Sequence, residues 1–193
     1  MCTFKKNSGK IIKGDDMAKK VKKSNTIWII KITLITFFIS LFFSGLSEII
    51  IPNLNIVFGI IIVIVFVLIG VIFDMIGVAI TSADDKPFHA KSSKKIRGAK
   101  TAVKLLKNAD KVSSFCNDVI GDICGILSGS AGVTIANTII KQTNFNPFLV
   151  TLLITAIIAS LTIGGKAMGK SIAIKNNTQI VYTFSKIISC FYK

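Results

Sequence analysis

Residues 55–83 read NIVFGIIIVIVFVLIGVIFDMIGVAITSA, an apolar run broken by a single charge, Asp74. A helix of that length rises about 43 Å at 1.5 Å per residue, more than the roughly 30 Å of a bilayer's hydrocarbon core. No face of such a helix is suited to water, so its solvent has to be lipid or other protein. Three more stretches behave similarly: 26–51, 113–140 and 148–165. With 51% hydrophobic residues over 193 positions and a mean hydropathy of +0.68, the chain is expected to be all-α. The expected architecture is a polytopic membrane protein of about four transmembrane helices with amphipathic juxtamembrane helices.

Charge orders these spans. The formal net charge of +15 comes from 24 Lys and Arg against 9 Asp and Glu. The cations gather before Asn25, between Lys86 and Lys111, and from Lys166 onward, while the opposite loops offer little beyond Lys141. Basic flanks mark the cytoplasmic side, which predicts a multi-pass protein of the cell membrane with both termini cytoplasmic. Residues 1–25 then form a basic cytoplasmic tail without apolar periodicity, and residues 26–193 form one transmembrane domain. Trp28 and Lys31 sit where an aromatic anchor and a snorkelling lysine belong.

Segments 88–111 and 170–190 are predicted to be interfacial helices. In the first, Ile96, Ala99, Val103, Leu106 and Ala109 recur at helical spacing amid cations. Such a stripe favours anionic membrane lipids as the partner. The competing nucleic-acid arm lacks the aromatic residues on which bases stack, and no nucleic acid is expected.

Little here supports catalysis. His89 is the only histidine, and Cys2, Cys116, Cys124 and Cys190 have no metal-ligand spacing. No phosphate loop, His-Glu-x-x-His or nucleophile elbow occurs, so neither an enzyme nor a resident cofactor is expected. The chemistry lies instead in acids at or near membrane depth: Asp74, and Asp118 with Asp122 four residues on. Asn117, Ser128, Ser130 and Asn137 add oxygen donors on the third span. Hard divalent cations take oxygen ligands, and Mg²⁺, which keeps much of its water, needs only one or two carboxylates. Asp74 and Asp122 are the candidate cation ligands, with Mg²⁺ as a substrate. The bland alternative places these acids at the cytoplasmic boundary or in pairs with Lys166. The glycine- and serine-rich third span is suited to packing against protein, including a second copy in a homodimer.

The order of parts, with AKTAVKLLKNADKV before a Gly-rich span containing IGDICGILSG and a last span closing in GGKAMGKS, resembles the CorB/CorC and cyclin M magnesium-transport family. The likeness covers about 61–188 and rests on AKTAVKLLKNADKV, on IGDICGILSG in a Gly-rich span, and on the final GGKAMGKSIAIKNNTQIVYTFSKII. The resemblance implies divalent-cation (Mg²⁺/Co²⁺) transport by a transmembrane domain without the family's cytoplasmic nucleotide-binding modules. It also implies that DMIG stands where the family has a Ser-Gly-Ser-Glu kink, placing Asp74 at the first serine. Gly121, Asp122 and Ile123 stand where the family has Gly-Asn-Asn. Gly165 and Lys170 match the family's Gly-Glu-x-x-Pro-Lys, but its glutamate becomes Lys166. An ammonium there repels Mg²⁺ and can satisfy the nearby acids as a tethered cation, giving a degenerate site. The competing readings are a non-transporting membrane scaffold or interaction protein and, last, a holin-like pore.

Overall fold

A computed structural model of the chain describes residues 11–50, 55–143 and 146–191, with side-chain surroundings from Trp28 to Cys190 within them. Two compact units divide it, Met1–Ile39 and Ser40–Lys193. The first helix, α1 (Ile11–Ile50), is continuous and contains the apolar span Trp28–Ile50. Residues 11–25 of the basic segment lie within this helix; residues 1–10 lie outside the described residues. The physical reason is that Met, Ala and Lys are good helix formers and Pro52 is the first proline.

In the second unit follow α2 (Ile56–Ser82), α3 (Lys86–Ser93), α4 (Ala99–Lys107) and α5 (Ala109–Ser114). A π-helical segment (Phe115–Gly121) leads without interruption into α6 (Asp122–Gln142). The order ends with α7 (Pro147–Lys175) and α8 (Asn177–Phe191). Among the described residues, four helical stretches are long and apolar enough to cross a membrane: Trp28–Ile50, Ile56–Ser82, Ala109–Gln142 and Pro147–Lys175. The protein is thus an all-α polytopic membrane protein with about four spans and amphipathic juxtamembrane helices.

The core of the bundle is made by close backbone approach. On α2, Gly59, Val63, Gly70, Asp74 and Gly77 are buried at spacings that keep them on one stripe. A Cβ on Gly70 would stand 3.2 Å from the Cys124 Cβ and 3.4 Å from the Gly121 carbonyl oxygen. On α7, Gly165 and Gly169 meet Val71 and Met75 of α2, where an added Cβ would approach to 2.9 and 2.7 Å. Small residues four apart permit this contact in lipid, where dispersion replaces the hydrophobic effect as the driving force between helices.

At the basic end, the segment expected as one interfacial helix over 88–111 is broken. Lys95 takes a φ of 55° and Gly98 a φ of 86°, so the chain reverses between α3 and α4. The apolar stripe of α4 is also covered by protein. Phe88, Ala102 and Leu106 pack with Ala79 and Ile80 of α2, Ala173 of α7 and Val181 of α8. The expected interfacial helix 170–190 likewise begins later: α7 runs on to Lys175, and α8 starts at Asn177, whose Nδ2 donates to the Ser82 carbonyl at 2.8 Å. That bond satisfies an end-of-helix carbonyl of α2 and ties α8 to it.

Gly98 makes this clamp possible. Its left-handed backbone suits glycine, and a Cβ there would lie 3.1 Å from the Lys186 Cα. Gly98→Ala is expected to cost about 2 kcal/mol, from the left-handed penalty and the backbone contact together. Thermal unfolding of the two proteins in the same detergent checks it.

Candidate functional site: paired charges in the basic half of the bundle

Asp74 lies eight residues before the end of α2, about 12 Å along its axis. Its position on the glycine stripe points it into the contact with the π segment, α6 and α7, and its side chain is only 7% exposed. Lys166 and Lys170 each follow a contact glycine of α7, Gly165 and Gly169. The glycines hold α7 tight against α2, so residues one step round the helix are brought to its flanks. The outcome is two ion pairs: Lys166 Nζ lies 3.2 Å from Asp122 Oδ1, and Lys170 Nζ lies 4.0 Å from Asp74 Oδ2.

The two pairs differ in setting. Asp122 is 65% exposed on the outer side of α6 and accepts a hydrogen bond from Lys166. Asp74 is buried, and its Oδ2 has no hydrogen-bond partner; the distant Lys170 ammonium is its countercharge. Lys166 Nζ also reaches the seam between α2 and α6, 3.6 Å from where a Cβ on Gly121 would stand.

The π segment decides which polar groups enter this region. An i→i+5 turn inserts an extra residue into the helical repeat and rotates what precedes it. Asn117 is turned onto the bare face of Gly77, where an alanine Cβ would collide with its amide. Its Nδ2 reaches the Ser113 Oγ at 3.5 Å, while its buried Oδ1 has no partner. Asp118 is turned outward and exposed. Ser128 is fully buried, but its hydroxyl donates to the Gly125 carbonyl at 2.9 Å within its own helix.

Of the residues singled out from sequence, the structure joins Asp122 to Lys166 and seats Asn117 one turn from Asp74 on the same α2 stripe. It gives Asp74 a different lysine, Lys170, and leaves Asp118 and Ser128 apart from both pairs. No group of three or more His, Cys, Asp or Glu side chains able to hold a metal ion occurs among the described residues. The Lys170 pairing was missed by sequence reasoning, although Lys166 and Lys170 stand four apart and share a helical face. The π segment had no signal in the sequence beyond its lack of strong helix formers.

Fold and site together define a multi-pass helical membrane protein with charged side chains paired inside the basic half of its bundle. The chain belongs to the cyclin M transmembrane N-terminal domain family, whose model matches residues 60–193. That family is associated with divalent-cation transport. The match starts within α2, so α1 precedes the shared region. No curated protein and no solved structure matches the chain.

Proposed function

We propose that this protein is a divalent-cation-transport relative whose ion position is held by its own lysines, so that in its natural form it does not carry Mg²⁺ or Co²⁺. The observation that carries the reading is the 3.2 Å contact between Lys166 Nζ and Asp122 Oδ1. By its resemblance to the family's closing motif, Lys166 stands at the glutamate position, and Lys170 supplies the countercharge of Asp74. Two carboxylates and two ammonium groups sum to zero, which leaves no net charge to draw a dehydrating dication from water. An arriving Mg²⁺ would have to displace a tethered cation from each acid.

In this reading the protein is a scaffold of the cell membrane with no catalytic role and no resident cofactor. Its basic ends, and hence both termini, face the cytoplasm. It forms a homodimer through α6, where Gly125 and Gly129 stand four apart with nothing within 4 Å of an added Cβ. A transporting reading is favoured by one other observation, the partnerless oxygens Asp74 Oδ2 and Asn117 Oδ1. Those are donors of the type a hard cation uses.

Mg²⁺ uptake into proteoliposomes separates the two. The natural protein is expected to give no flux above protein-free vesicles. Flux that Asp122→Ala or Asp74→Asn abolishes would establish transport and overturn the self-neutralised site.

A further inference from the structure

Away from the charged pairs, an open apolar cavity of about 450 Å³ separates α2 from α8. Ile72, Met75 and Ile76 form one wall, and Ile180, Thr183, Phe184 and Ile187 are among the residues of the other. The walls are mostly carbon, with Gln179 and Thr183 as the polar residues among them, and Ile72 and Ile187 are more than half exposed. A groove of this kind in a membrane span suits an acyl chain.

Cations stand on the other side of the same short helix. Tyr182, next to Thr183, donates its hydroxyl to the Arg97 carbonyl at 3.4 Å, and Lys91 Nζ lies 4.6 Å from its ring centroid. Lys186, one residue before Ile187, packs its backbone where Gly98 has no side chain. The α3–α4 turn is thereby drawn against α8, with Lys94, Lys95 and Arg97 exposed around it. The ion pairs among the described residues are those of Lys166 and Lys170, so none of these cations is paired with a carboxylate there.

We infer that α8 is the spine of a binding site for one anionic glycerophospholipid, with an acyl chain in the α2–α8 groove and the headgroup phosphate held by Lys95, Arg97 and Lys186. The argument is charge complementarity: a groove for the tail and unpaired cations for the phosphate flank one helix, with Lys186 directly preceding the groove residue Ile187 in sequence. Anionic lipid gains from each basic side chain near the membrane surface, whereas the phosphate of a zwitterionic lipid is offset by its own headgroup cation and gains much less. The site is independent of whether the paired-charge region conducts ions.

The test uses the full chain in nanodiscs. Trp28→Phe removes the single tryptophan, and Thr183→Trp puts a fluorescent reporter in the groove. Brominated phosphatidylglycerol is expected to quench it better than brominated phosphatidylcholine at equal mole fraction, with a relative binding constant from the quenching curves higher by about fivefold for each cation engaged. Lys95→Gln, Arg97→Gln and Lys186→Gln together should erase that preference while quenching by the phosphatidylcholine persists. If Thr183→Trp does not fold, Ile187→Trp reports from the same wall. A reporter at Leu46 is the control, because the about 380 Å³ cavity lined by Phe43, Leu46, Ser47, Ile50, Ile61, Ile62, Val65 and Phe66 has no cation in its wall. Equal quenching by the two lipids would mean annular lipid only and overturn the site. So would the same preference at Leu46, or no quenching by either lipid, which would mean that protein covers the groove.

Discussion

Lys166→Glu is expected to make the protein's stability depend on Mg²⁺ and to open Mg²⁺ flux that the natural chain lacks. The substitution removes the ammonium lying 3.2 Å from Asp122 and puts a carboxylate on the same stretch of α7. Asp122 and the introduced glutamate would then face each other across α6 and α7 without a countercharge, while Lys170 stays with the buried Asp74. Without a dication their repulsion destabilises the bundle. With Mg²⁺ bound to the folded state alone, stability rises by about 2.7 kcal/mol at a concentration one hundred times the dissociation constant. The natural protein should show no such rise, since its acids are already neutralised. Thermal unfolding against Mg²⁺ concentration reads the binding and proteoliposome uptake reads the conduction. A melting curve of the variant indifferent to Mg²⁺ would refute the idea that Lys166 stands in a cation's place.

Lys170→Met is expected to be the most destabilising single change in the site, because it strands a carboxylate inside the bundle. Asp74 is 7% exposed, its Oδ2 has no hydrogen bond, and the Lys170 ammonium at 4.0 Å is its only ionic partner among the described residues. Removing one member of a buried pair typically costs about 3–5 kcal/mol. Lys170 is itself 55% exposed and the contact is long, so about 2 kcal/mol is the expected loss here. The cause is testable by rescue. In a Lys170→Met background, Asp74→Asn removes the stranded charge and should recover most of the loss, whereas additive costs would mean that Lys170 contributes by packing alone. At Asp122, 65% exposed, the corresponding loss of its lysine should be much smaller.

What could be read in the chain and what could not divide along physical lines. The four spans were legible because twenty or more consecutive apolar residues have no stable place in water, whatever their neighbours. The family likeness was legible because it resides in local strings such as the small-residue run ending in Gly165 and Lys166. The basic ends were legible for the same reason. Helix breaks were not: Gly98 and Lys95 reverse the chain in a stretch whose cations and apolar stripe fit one uninterrupted helix. Only the tertiary contact with Lys186 and the burial of Phe88 and Leu106 favour the turn.

The site shows the same division. Asp74 within an apolar helix announced itself, since a lone carboxylate in lipid requires a partner. Which partner it has was decided elsewhere, by Gly165 and Gly169 setting how closely α7 lies on α2 and thus which lysine reaches which acid. The π segment turned Asn117 inward and Asp118 outward, a choice the alternation of residue types does not encode. By itself, then, the sequence determined that this chain is solvated by lipid, how many times it can cross, and which end is basic, because these depend on summed transfer free energies along the chain. The pairing of charges, the break at Gly98 and the groove beside α8 depend on where distant helices touch, and only the tertiary structure decided them.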